Sequence, residues 1–212
     1  MKNMQRRHFT ATLLASAALP ALAQGGPVEG THYVRLSQPL PSTAPAGKIE
    51  VIEFFWYGCP HCNAFEPALQ AWVQRLPADV AFRRVPVAFR EEPFVAHQRI
   101  YYALEAMGKL EAMHRKVFYA IHAERARLDK IEEIAAFMSK NGVDGAKFTE
   151  VFNSFSVQTK ARQARQLAES YKIDGVPALG IQGRYFTSST LAGTPERSLQ
   201  VADFLIQQSR KG

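Results

Sequence analysis

Glu53-Phe54-Phe55-Trp56-Tyr57-Gly58-Cys59-Pro60-His61-Cys62 carries both cysteines of a 212-residue chain. Before it, Ile49 to Trp56 is apolar at nearly every position, the pattern of a strand buried on both faces in a parallel sheet. After it, Phe65, Leu69, Trp72, Val73 and Leu76 recur at helical spacing, so the spacing predicts a helix over Asn63 to Leu76, kinked at Pro67. The two thiols thus stand at a strand-to-helix turn. A loop this short removes little unfolded-chain entropy, which makes the pair a poor staple and a natural reversible two-electron centre.

Further out, Val80 to Phe89 reads as a second strand and completes a β-α-β unit. From Pro93 to about Phe155 the pattern is helical throughout, with stops at Gly108, Gly142 and Gly145 and a capping-box spacing from Asp129 to Glu132. A longer helix over Val157 to Tyr171 leads back to two short strands, Pro177 to Gln182 and Arg184 to Thr187, set as a hairpin around Gly183. Thr194-Pro195-Glu196 carries the cap, first-turn proline and first-turn acid of a last helix.

The N-terminus sets the compartment. Lys2, Arg6 and Arg7, an apolar run from Phe9 to Leu19 and the small-residue site Ala21-Leu22-Ala23 together read as an export signal over residues 1–23, cleaved after Ala23. Arg6-Arg7-His8-Phe9 is loosely similar to a twin-arginine signal, but a general secretory signal fits better. Cleavage removes three of the seven net positive charges, leaving about four on the mature chain. That excess argues against a nucleic-acid partner. The most basic run, Lys160, Arg162 and Arg165, shares its helix with an apolar stripe and reads as a solvated face.

The local geometry gives the two cysteines different parts. Cys59 falls at the helix cap with Pro60 at the first helical position, so its sulfur meets the free N–H groups and positive dipole end of the first turn. Cys59 is the candidate exposed nucleophile. Cys62, one turn further in, is the candidate resolving thiol, more buried and harder to ionise. His61 can donate a hydrogen bond or place positive charge near the Cys59 sulfur, which stabilises the reduced pair and tilts the couple towards oxidation of clients. Glu53, six residues before Cys59 in a buried strand, either accepts the Cys62 proton or pairs with Arg83 or Arg84. On its own, Val176-Pro177 reads as an ordinary trans turn proline.

Taken together, Glu53-Phe54-Phe55, Cys59-Pro60-His61-Cys62, Gly175-Val176-Pro177-Ala178 and Gly183-Arg184-Tyr185 resemble a DsbA-type thiol:disulfide oxidoreductase of the thioredoxin superfamily. The resemblance implies an α/β thioredoxin-like fold, a central mixed sheet flanked by helices, over residues 24–90 and 157–212, with an inserted all-helical subdomain over 91–156. It implies that Val176-Pro177 is a cis bond packed against the cysteines, its backbone pairing with an extended client. It further implies a periplasmic monomer that oxidises newly exported polypeptides and is reoxidised by a membrane-embedded, quinone-linked partner of the DsbB type. The redox centre is then the Cys59-Cys62 disulfide itself, with no bound cofactor or metal. Pro67, Trp56, Tyr57 and Asn63 depart from the best-known members and bear on client preference. Two rivals are weaker. A periplasmic metal-binding chaperone using Cys59, His61 and Cys62 lacks a third cysteine and a fourth ligand. A disulfide isomerase or reductase resembles a thioredoxin domain carried on a separate dimerisation domain, for which the roughly 35 residues before Cys59 leave no room.

Overall fold

The computed structural model describes residues 26–211, so the export signal of residues 1–23 lies outside the described residues. Five strands, β1 (Val34–Arg35), β2 (Ile49–Phe55), β3 (Val80–Pro86), β4 (Ala178–Ile181) and β5 (Tyr185–Ser188), form one sheet in the order β1-β5-β4-β2-β3. β2 pairs parallel with β3 and antiparallel with β4, so the sheet is mixed. The helix α1 (Pro60–Val73) makes the crossover between β2 and β3. Five helices then lie between β3 and β4: α2 (Phe94–Ala106), α3 (Leu110–His122), α4 (Ile131–Lys140), α5 (Gly145–Phe152) and α6 (Phe155–Ser170). A one-turn α7 (Ser189–Ala192) and the long α8 (Pro195–Arg210) end the described chain.

Every residue of β2 is buried, because both faces of the sheet are covered. Ile49 and Val51 pack with Phe65, Leu69 and Trp72 of α1 and with Leu199 and Leu205 of α8. Ile52 and Phe54 face the other way, into a core shared with Ile100, Val117, Phe148 and Ala164 of the helical insertion. Alternation along the strand places Glu53 on the side of Val51, beneath α1.

Several elements differ from the sequence reading, each for a local reason. β2 ends at Phe55 instead of Trp56, because the Cys59 N–H donates to the Trp56 carbonyl at 3.0 Å and turns the chain. β3 ends at Pro86 instead of Phe89; the Pro86 carbonyl accepts from the Gln98 side chain of α2 instead of from a strand. No capping box starts α4: its cap is Lys130, without a side-chain bond, and Asp129 is taken by Arg127 at 2.6 Å. Gly145 opens α5 behind an Asp144 cap instead of ending a helix, whereas Gly108 and Gly142 hold the positive φ of stops. Ser154 caps α6 and starts it two residues early, at Phe155. The β4–β5 hairpin turns through Gln182 and Gly183, both at positive φ, and a Cβ on Gly183 would run into the Leu40 carbonyl. Thr194 accepts from Arg197 N–H and Pro195 is the first residue of α8, as its sequence indicates.

Candidate active site

β2 delivers the chain to a turn that must be tight. A Cβ on Gly58 would lie inside the Trp56 indole, which itself stacks on Phe94 at 4.0 Å, so glycine alone lets the backbone pass. Cys59 follows as the cap of α1 in extended conformation, and Pro60 occupies the first turn, where its missing N–H leaves nothing unpaired. The Cys59 side chain makes no capping bond, which leaves its sulfur facing the first-turn N–H groups.

Both cysteines are free thiols in this structure. Cys59 is less exposed than its expected part suggested, at 8%, because the Val176-Pro177 segment covers it; Cys62 is at 0%. The Val176-Pro177 bond is cis, and the Cys59 thiol donates to the Val176 carbonyl at 3.5 Å. A second cis bond, Glu92-Pro93, has no counterpart in the sequence reading. Beside the cysteines runs a groove of about 610 Å³, lined among others by His61, Gly175, Val176, Pro177 and Phe186.

The two thiols titrate in opposite directions. Cys59 is lowered to about 6: a hydrogen bond from the Cys62 thiol contributes most, burial opposes it, and the Cys62 and His61 N–H groups and the His61 charge supply the rest. His61 is thus a contributor, but the smallest named. Burial pushes the Cys62 thiol well above its ordinary value, and the neighbouring Cys59 and Glu53 push it further.

Beneath α1 lies a buried acid cluster. Arg84 donates its Nε to Glu53 at 2.8 Å and its terminal nitrogen to the Glu66 carboxylate at 3.2 Å; Arg83 instead serves Glu50 at 2.9 Å. The parallel register explains the choice, since Glu53 stands opposite Arg84. The other oxygen of Glu53, Oε1, is buried without a partner. Burial raises the Glu53 carboxyl to about 8, and the Glu66 charge adds to that against the pull of Arg84. One oxygen of Glu53 is thus ion-paired with Arg84, one of the two arginines that the sequence offered, and the other has no partner. Glu66 in turn meets His114 Nε2 at 3.2 Å, and His114 Nδ1 meets the Tyr57 hydroxyl at 2.8 Å. The sequence reading passed over Glu66 and His114. Glu66 carried a signal, for it lies four residues after Cys62 on the same helix face.

Among the described residues, no group of three or more His, Cys, Asp or Glu stands together as a metal site. None of the described helices is long and apolar enough to cross a membrane.

A mixed sheet with a cysteine pair at the start of its crossover helix, a cis proline against the Cys59 sulfur and opposed thiol acidities define a thioredoxin-fold thiol:disulfide oxidoreductase. Residues 50–197 match the DSBA-like thioredoxin domain model, and the chain belongs to that family. It is 44% identical over 206 residues to the thiol:disulfide interchange protein DsbA of Burkholderia cepacia, covering 95% of this chain and 97% of the relative. The corresponding protein of Bordetella parapertussis is 46% identical over 215 residues, covering 98% and 100%. The crystal structure of Pseudomonas aeruginosa DsbA superposes with a TM-score of 0.83 at 43% identity, over 87% of this chain and 95% of that one. The activity of this chain is thiol:disulfide interchange at Cys59 and Cys62.

Proposed function

We propose that the protein donates the Cys59–Cys62 disulfide to reduced cysteines of newly exported polypeptides in the periplasm, where it acts as a monomer. A client thiolate attacks the Cys59 sulfur, the S–S bond breaks, and its electron pair passes to Cys62. Cys62 is a poor leaving group unless protonated, and Glu53 supplies the proton. A second client thiolate then attacks the client sulfur of the mixed disulfide, and Cys59 departs as a stabilised thiolate. The client has lost two electrons and the cysteine pair has gained them. A membrane-embedded, quinone-linked partner of the DsbB type takes those electrons back, with Glu53 accepting the Cys62 proton as the disulfide re-forms. The extended client lies along Val176 and Pro177, pairing with backbone in the groove beside His61.

The observation that carries the oxidising direction is the low pKa of Cys59, about 6, beside a raised one for Cys62. A stable reduced form makes the disulfide a strong oxidant. The test is thiolate absorbance of the reduced protein against pH, with Cys59→Ser as reference. A single midpoint near 6, absent from Cys59→Ser, supports the reading if the oxidised protein also converts a reduced, unfolded client stoichiometrically. A midpoint near the ordinary thiol value of about 8.5 overturns it.

A further inference from the structure

Two buried carboxylates share one guanidinium beneath the cysteine pair. Arg84 bonds Glu53 through Nε at 2.8 Å and both oxygens of Glu66 through a terminal nitrogen at 3.3 and 3.2 Å. Both carboxylates are buried, so ionising the two together is costly and the site tends to hold one proton between them. Which carboxylate keeps that proton decides whether Glu53 can serve Cys62. Arg84 cannot settle the matter, since it touches both.

The asymmetry comes from the helical insertion. His114 of α3 sets Nε2 3.2 Å from Glu66 Oε1 and Nδ1 2.8 Å from the Tyr57 hydroxyl. An ionised carboxylate only accepts, so Nε2 carries the hydrogen, and the bare Nδ1 accepts from the Tyr57 O–H. Tyr57 thereby fixes the tautomer that serves Glu66. Glu53 has no such second donor, for its Oε1 is buried and unpartnered.

We propose that His114, oriented by Tyr57, is a positioning residue for the redox centre, holding the negative charge on Glu66 and the proton on Glu53. This rests on the reading of Glu53 as proton carrier. During client oxidation that proton moves from the Glu53 carboxyl to the Cys62 sulfur as the S–S bond breaks, and it returns when the disulfide re-forms. The other groups around His114 do not substitute for it. Arg84 of β3 is shared, Arg115 of α3 acts on Glu66 by charge alone, and Tyr101 of α2 meets the imidazole only ring to ring at 6.3 Å. Glu111 lines the same cavity of about 350 Å³ as His114, Glu66 and Arg84. The titration directions agree. Burial pushes Glu66 up, but the His114 hydrogen bond, with the charges of Arg84 and Arg115, holds it below its usual value, while Glu53 rises to about 8. Burial also lowers His114, which keeps the imidazole neutral at pH 7.

The test follows the infrared carbonyl band of protonated Glu53, assigned by its loss in Glu53→Gln, against pH in the reduced protein. In His114→Phe, whose ring suits the neighbouring Phe55, Tyr57 and Phe118, the midpoint of that band is expected to fall by at least one pH unit, about tenfold in proton affinity. His114→Gln, which keeps an N–H for Glu66, restores it. Tyr57→Phe gives a smaller fall of the same sign and carries the test should His114→Phe not fold. An unmoved midpoint in folded His114→Phe or Tyr57→Phe, or an equal fall in His114→Gln, overturns the proposal. A wild-type protein with no band removed by Glu53→Gln would instead defeat the proton-carrier reading on which it rests.

Discussion

Cys59 and Cys62 sit within one helical turn and yet are driven apart, because one sulfur sees donors and the other sees apolar core. This has a consequence for stability. A thiol lowered to about 6 from an unfolded value of 9.0 stabilises the folded reduced protein above the unfolded value, and that contribution is lost as pH falls through the folded one. The oxidised protein has no such group. The reduced form is therefore expected to gain stability relative to the oxidised form as pH rises from about 6 towards 9, with the difference becoming constant below 6. Cys62, raised on folding, works against this only as pH climbs through its unfolded value. Denaturant unfolding of both redox forms at several pH values measures the gap; a gap that is flat across this window, or the same rise of stability with pH in Cys59→Ser, which forms no disulfide, would contradict the assignment. At this scale the place of Cys59 at a helix cap, and of Cys62 buried one turn further in, was legible from the motif and its flanks. The packing of Val176 against Cys59 came only through the family resemblance, since local spacing cannot join residues 117 positions apart.

At the scale of elements, helix starts separate a sequence signal from its use. Thr194 satisfies the Arg197 N–H at 3.1 Å, so Thr194→Ala is expected to cost about 1 kcal/mol in denaturant unfolding. The equally suggestive Asp129 is drawn off by Arg127, whose own side chain is 79% exposed. Asp129→Ala therefore loses only an ion pair worth about 0–1 kcal/mol, and should cost less than Thr194→Ala. Equal losses would mean that Asp129 still caps α4 in solution. Periodicity located α1 and α6, an unbroken apolar run located β2, and cap residues located the start of α8. Such patterns left Arg83 and Arg84 undecided as partners of Glu53, because a strand's register is set by pairing across the sheet and not by the strand itself. The two-residue β1 carries too little pattern to be read at all.

At the scale of the whole molecule, the sheet and the helical insertion meet at one polar point. Glu53 comes from β2, Arg84 from β3, Glu66 from α1 and His114 from α3, so a single guanidinium ties together four elements spread over the chain from position 53 to 114. An alternating mixed sheet with an all-helical insertion follows from patterning, but this junction does not: it exists only after α3 has docked. Its energetics are asymmetric. A buried pair contributes modestly when complete, whereas removing one partner strands the other and costs about 3–5 kcal/mol. Arg84→Met strands two carboxylates, of which only Glu66 keeps a partner, His114. Their folded values then rise above the unfolded carboxylate range, and a group raised on folding destabilises progressively as pH climbs through the unfolded value. The loss in Arg84→Met is thus expected to be about 3–5 kcal/mol near pH 8 and to shrink below about pH 4, as both carboxyls become protonated in either state. Urea unfolding of the oxidised protein at the two pH values isolates this from the thiols. A loss independent of pH would assign Arg84 a packing role only, and would remove the guanidinium as the charge that lets the acid cluster sit under the redox centre.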